Sequence, residues 1–278
     1  MLVTSDNVNE ILERLKNQKV LFFDIETTGL EVYEEACAVG IGVATSAKDL
    51  YYFPFRHSST SDSFLESSGN LDFYYMKPLI DIFNNSHYLI AHNIKFDLAG
   101  LLKEGLIVRD QILIDTLVMG RLIQTERFSK LDLVTLYQYV VNPNSIDNKD
   151  ELKQYKKEHK IKDPGCGLVP PIIIDDYCSK DLLQLYELYF ALKREIKNTD
   201  QKRIHQLEIE TTKTLFFMES FGAQIDSEYC QKIKVELDDK IVETEEKIYD
   251  ITKEKIPDPI NILSNLQLGK MFNLFGIH

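Results

Sequence analysis

VLFFDIE, residues 20–26, decides how the rest of the chain reads. Leu21–Phe23 and Ile25 are apolar, the texture of a strand buried on both faces in the middle of a sheet. Asp24 and Glu26 interrupt that run two residues apart. Side chains alternate with period 2 along a strand, so both carboxylates leave the same face. Charge inside an apolar strand is costly unless it meets a cationic partner, a metal ion or water at the strand end. All three readings stay open at this point.

Working outward, SDNVNEILERLKNQ predicts an amphipathic helix, with Ser5 or Asp6 as N-cap and Ile11 and Leu15 on one face. CAVGIGVA (37–44) and LYYFPF (50–55) predict two strands joined by a tight turn at Ser46–Asp49. A Ser-rich loop (57–70) and a helix (71–84) lead to a further strand, HYLIA (87–91). Helices follow at 94–104, 115–124 and 130–140, and a long one from Pro171 to Lys197. Between them, residues 149–170 carry lysines, then Pro and Gly, and predict a mobile loop. Its lysines read first as solvated charge and second as a patch that guides a nucleic-acid strand. Residues 200–255 predict two long helices, with Gly222 ending the first and Asp226 or Ser227 capping the second. A strand-rich front and a helical rear indicate α/β with a helical appendage.

Composition narrows the class. The 278 residues hold 44 Asp and Glu against 32 Lys and Arg, a net charge of −12. That opposes binding of nucleic acid by a broad basic surface, although it permits a locally positive groove. Cys37, Cys166, Cys178 and Cys230 lack C-x-x-C spacing, which argues against a zinc module or a disulfide scaffold. No apolar run reaches the roughly 18 residues of a membrane span, and MLVTSDNVNE does not read as a signal peptide. These features predict a cytoplasmic, reduced enzyme or binding module with no membrane association.

Three further residues bear on chemistry. Asp97, in AHNIKFDLAGLL, falls in the first turns of the helix after strand 87–91, where an acid also serves the helix dipole alone. Tyr177 and Asp181 are four apart and share a face of the long helix, a spacing that ordinary helices carry too. His57, His87 and His92 read as loop or sheet-end residues and not as a metal set. Together, an acid pair on a first strand, an acid after a later strand and Tyr-x-x-x-Asp on a late helix make the pattern of a two-metal phosphodiesterase site. Such hydrolysis needs an activated water, neutralisation of a pentacovalent anion and stabilisation of the leaving 3′-oxygen. Two divalent ions about 4 Å apart serve all three needs, held by the hard carboxylate ligands that Mg²⁺ prefers.

LFFDIETTGL, HNIKFDLAGL and YCSKDLLQLY resemble the three exonuclease motifs of the proofreading 3′→5′ exonuclease domain of family A DNA polymerases. The Tyr in the third motif resembles the Tyr-type branch of the DnaQ-like superfamily; the His-type branch would carry histidine where this chain has Asp176. PFRH (54–57) and DTLVMGRLI (115–123) extend the resemblance, and 208–278 resembles the family's entry into its polymerase region. The resemblance implies an RNase H-like, five-stranded mixed sheet flanked by helices over residues 1–197, then an incomplete helical, thumb-side start over 198–278. It implies a metal set of Asp24, Glu26, Asp97 and Asp181, taking two Mg²⁺ or Mn²⁺ ions, with Tyr177 orienting the nucleophile. Leu30 and Asn93 match positions that contact the 3′-terminal nucleotide, and Thr27 and Phe96 are their neighbours.

The expected substrate is the 3′ end of single-stranded DNA, released as 5′-mononucleotides with no sequence readout. The expected partner is a separate polymerase chain or a missing polymerase domain, because the chain stops at LFGIH before any polymerase active site. It is thus expected to be a fragment or half of a split polymerase, working in the cytoplasm at the replication site, or in an organelle after loss of a presequence. Two other readings share the motifs: a non-catalytic module of a polymerase assembly, and an RNA-trimming exonuclease of the same fold. The apolar end, SNLQLGKMFNLFGIH (264–278), predicts a segment that is frayed or covered by a partner or second copy.

Overall fold

The computed structural model describes residues 1–58, 69–123, 131–145, 150–162, 165–258 and 260–277. Most of the expected Ser-rich loop, and the ends of two expected helices at residues 124 and 130, lie outside them. The chain divides into two compact units, Met1–Phe221 and Gly222–His278.

Five strands form the sheet of the first unit: β1 (Val20–Thr27), β2 (Ala38–Ala44), β3 (Leu50–Pro54), β4 (Tyr88–Ala91) and β5 (Ile112–Asp115), in the order β3-β2-β1-β4-β5. β1 runs antiparallel to β2 and parallel to β4, so the acid-bearing strand is central. The turn before β3 closes as Ser46 Oγ donates to Asp49 Oδ2 at 2.6 Å. β5 has no counterpart in the strands read from the chain; its four residues run straight into a helix and share its apolar texture.

Alternation along β1 divides the core. Leu21, Phe23 and Ile25 face one layer, with Ile41, Phe53, Leu89 and residues of helices α1 (Val8–Leu15), α2 (Met76–Asn85) and α3 (Ile94–Leu102). Phe22, with Tyr52, Ile90 and Ile114, faces the other layer, built on Cys178, Leu182 and Leu185 of a long helix. α4 (Thr116–Ile123), α5 (Leu133–Val140) and α6 (Asp150–Glu158) precede that helix, α7 (Pro171–Asn198), which starts with proline in its first turn. This is the RNase H-like α/β architecture, a mixed sheet with helices on both faces.

Two expectations are corrected. The first helix is preceded by Asn7, not Ser5 or Asp6, and Asn7 Oδ1 accepts from the Thr4 amide at 2.9 Å. Residues 150–158 are helical and not a loop: Leu152 and Lys156 turn inward while Lys153 and Lys157 stay in water. α8 (Lys202–Phe221) packs on β5 and α3 and buries Phe216 in the first core layer, so the first compact unit extends to Phe221.

The second unit contains α9 (Ser227–Thr252) and α10 (Asn265–Leu274). Asp226 caps α9 by accepting from the Tyr229 amide at 2.9 Å, and Gly222 ends α8 at φ 71°. α10 is a capped helix with Ser264 as N-cap, and none of its residues is buried.

Candidate active site

β1 pairs with β4 only as far as Phe22 and Ile90. Beyond that point the two parallel strands diverge at their carboxyl ends, where α/β sheets place ligands. Asp24 and Glu26 stand in this widened end. The gap is filled from α3: Asp97 Oδ1 accepts the Ile25 amide at 3.0 Å, where a sheet carbonyl would otherwise sit. The carboxyl of Asp97 is thereby fixed to the backbone amide of the residue that separates the two acids of β1. It is buried, and burial pushes its ionisation well up, opposed by the Ile25 hydrogen bond and reinforced by Asp115 and Glu26.

The other wall is α7. Glycines make its approach possible, since Gly42 and Gly40 stand opposite Asp24 and Glu26 across the β1–β2 ladder. A Cβ on Gly42 would collide with Cys178 Sγ, and one on Gly40 with the Tyr52 ring. With no side chain there, α7 lies on β2 and brings Tyr177 and Asp181 to the acids. Burial raises the Tyr177 ionisation most, and the charges of Asp181, Glu26 and Asp24 raise it further. The phenol therefore stays a neutral O–H donor. Cys178 is held as a neutral thiol in the same way, by burial and by Asp24, Glu26 and Asp181.

At the rim, Leu30 is 68% exposed on the loop after β1. Thr27 is buried, and its hydroxyl donates to the Gly29 carbonyl at 2.6 Å, so it shapes the turn that presents Leu30. Asn93 is exposed and left-handed at φ 65°, and Phe96 is half-buried against Val32, Ala36 and Ala99.

Asp115 has no place among the residues singled out from the chain, yet it builds the Asn93 turn. Its Oδ1 accepts from the Asn93 and Leu117 amides, both at 2.9 Å, and its Oδ2 from Ile94 at 3.2 Å. The left-handed Asn93 is thus held by a buried carboxylate at the end of β5. The signal available was an acid closing the apolar run QILID. Two of the histidines are held by hydrogen bonds at both ring nitrogens. His57 is buried between the Tyr52 hydroxyl (2.8 Å) and the Val169 carbonyl (2.7 Å), and His92 bridges Thr116 Oγ1 and the Leu131 carbonyl.

Among the described residues, no three His, Cys, Asp or Glu side chains close into a metal-binding cluster. The donor chemistry nevertheless fits hard divalent ions. The four candidate ligands are all carboxylates, and Asp97 feels the like charges of Asp115 and Glu26, a repulsion that a cation would relieve.

A central acid-bearing strand, a crossover helix with an acid and a long Tyr–Asp helix define the class of RNase H-like 3′→5′ exonucleases. The 3′-5′ exonuclease family model matches residues 1–197, and the chain belongs to that family, the exonuclease domain of family A DNA polymerases. DNA polymerase I of Borreliella burgdorferi is 23% identical over 231 residues, 83% of this chain and 23% of that protein. DNA polymerase I of Synechocystis is 26% identical over 289 residues, 100% of this chain and 27% of that protein. The chain thus spans about a quarter of the length of these two polymerases. Brucella melitensis NrnC has the same fold, at TM-score 0.55 and 15% identity, with 76% of this chain and 90% of that chain covered. NrnC has also been solved with bound Mg²⁺ and with bound pGG.

Proposed function

We propose that this chain is a metal-dependent, proofreading-type 3′→5′ DNA exonuclease that releases 5′-mononucleotides. The observation that carries the proposal is the Asp97–Ile25 hydrogen bond, which ties the acid of α3 to the backbone of the strand that bears Asp24 and Glu26. Asp24, Glu26, Asp97 and Asp181 would hold two divalent ions, Mg²⁺ or Mn²⁺. Bound there, the ions would supply Lewis acidity toward the attacking water and the leaving 3′-oxygen. Tyr177 donates its O–H to orient the water, and Glu26 helps accept its proton. Leu30 wedges against the terminal base, while Asn93 and Phe96 flank the last nucleotide and Thr27 supports the loop beneath.

The polymerase I relatives support DNA as the substrate and a polymerase as the partner, in the same or a separate chain. They also support a cytoplasmic working place at sites of replication. No described helix is long and apolar enough to cross a membrane. The pGG complex of NrnC favours a second reading, the trimming of short RNA.

The test is a comparison of 5′-labelled single-stranded DNA, the matching RNA and a mismatched primer–template, each with Mg²⁺, Mn²⁺ or EDTA. DNA is expected to shorten from its 3′ end with either metal and to persist in EDTA. A faster loss of RNA establishes the second reading. No shortening of any strand leaves the site as a structural module.

A further inference from the structure

We infer that Asp115 is a positioning residue of this site, a buried carboxylate that holds Asn93 in the conformation from which its side chain meets the terminal nucleotide. The inference rests on the nuclease reading and adds a residue that the three motifs do not contain. Asn93 has φ 65°, a left-handed conformation that is uncommon for a residue with a Cβ and persists where its surroundings impose it. The usual local reason is missing. The Asn93 side chain makes no capping bond to α3, and the residue is exposed at the carboxyl end of β4. The constraint comes from the neighbouring strand. Ala91 and Asp115 pair across β4 and β5, which places the Asp115 side chain beside the turn that follows β4. Its Oδ1 accepts the Asn93 amide at 2.9 Å and its Oδ2 the Ile94 amide at 3.2 Å.

Two successive amides at a left-handed turn into a helix are the kind of concavity that takes an anion, and in a nuclease that anion would be a substrate phosphate. Here the position is already filled from within. Asp115 is 6% exposed, and with the Leu117 amide its two oxygens accept three backbone N–H groups. A phosphate is thereby excluded from the turn. What the turn offers the substrate is the Asn93 side-chain amide, an uncharged group that both donates and accepts hydrogen bonds. Asp97, two turns of argument away from this contact, has its own anchor on the Ile25 amide. Loss of the Asp115 carboxylate therefore frees Asn93 while Asp97 stays tied to β1, and substrate binding suffers more than the chemical step. A residue that only packs β5 against α3 would change stability without that split.

The experiment compares wild type, Asp115→Asn, Asn93→Gly and the double variant. It reads melting temperature, steady-state rates on a short single-stranded DNA with Mg²⁺, and binding of the same strand, fluorescently labelled at its 5′ end, in EDTA. Asp115→Asn turns an N–H donor toward the Ile94 amide, so its KM and Kd are expected to rise about tenfold while kcat changes less than about twofold. Asn93→Gly takes the left-handed conformation without strain and is expected to melt close to wild type, yet to show a similar rise in KM and Kd. In the double variant Asp115→Asn has no side chain left to position, so KM and Kd should equal those of Asn93→Gly. A further rise in the double variant, an unchanged KM in Asp115→Asn, or a kcat loss of several orders of magnitude in Asp115→Asn overturns the inference. Should Asp115→Asn alone fail to fold, Asn93→Gly relieves the turn, and the double variant against Asn93→Gly decides. If wild type binds the strand but does not shorten it, the nuclease reading fails and the Kd values decide the role of Asp115. If it does neither, both fail.

Discussion

Asp97 Oδ1 accepts the backbone N–H of Ile25 at 3.0 Å, so one carboxylate completes the central strand and is also the acid of α3 proposed as a metal ligand. The two roles separate by substitution. Asp97→Asn keeps an acceptor for the Ile25 amide and removes a buried charge, so its metal-free melting temperature should equal or exceed that of wild type. Its nuclease rate should nevertheless fall by several orders of magnitude. Asp97→Ala leaves the amide unsatisfied and should cost about 1–3 kcal/mol of stability as well. Denaturant melts and single-turnover rates on both variants check this.

Asp24 is proposed as a metal ligand, so Asp24→Ala should lower activity by several orders of magnitude. Tyr177→Phe deletes one orienting hydrogen bond, worth about 1–3 kcal/mol, and should slow the reaction roughly ten- to a hundredfold. Millimolar Mg²⁺ or Mn²⁺ should raise the melting temperature of wild type and raise that of Asp24→Ala much less. Near-wild-type nuclease activity in Asp24→Ala overturns the two-metal assignment.

Gly42 sets how close α7 comes to the sheet. Gly42→Ala places a methyl group against Cys178 Sγ and Leu182, and should destabilise the fold by about 1–3 kcal/mol through overpacking. Because the displaced helix carries Tyr177 and Asp181, activity should fall more than the loss of folded protein explains. Adding Cys178→Ala frees the space, and the double variant should regain stability and rate. A double variant no better than Gly42→Ala means that the helix is positioned by other contacts.

His57 gives a pH dependence with a defined sign. Burial lowers its folded pKa to about 4, against 6.5 unfolded, and the hydrogen bond to the Val169 carbonyl offsets only part of this. The unfolded chain therefore binds the extra proton first as pH falls. Stability from this group is complete above pH 6.5 and is lost on descending toward pH 4, about 2 kcal/mol of it between pH 7 and pH 5. Asp97 and Asp115, whose ionisation burial pushes up, act in the opposite direction. The measurement is accordingly a difference: wild type should lose more stability than His57→Gln between pH 7 and pH 5. Parallel pH profiles would show that the imidazole does not titrate on unfolding.

The fold class was legible because its signals are local. The apolar run around Asp24 and Glu26 marks a buried strand, and Pro171 with the stripe of Leu182, Leu185 and Leu188 marks a long helix. β5 was not legible, since four apolar residues that run directly into a helix have no period of their own. The helix at 150–158 was hidden for a related reason: a run rich in lysine reads as solvated until a partner buries one face.

By itself the sequence determined the family, the α/β class and the helix boundary at Gly222 and Asp226, and it singled out four acids with Tyr177 as the candidate site. These follow from side-chain period, capping chemistry and motif spacing, all of which act within a few residues. Tertiary structure alone decided that Asp97 bonds to Ile25, that Asp115 holds the Asn93 turn, and that Gly40 and Gly42 admit Tyr52 and α7. It also decided that Lys156 points inward and that α8 belongs to the first unit. Each of these depends on which surfaces meet across tens of residues, where burial makes one hydrogen bond or one missing Cβ matter and where no local pattern records the partner.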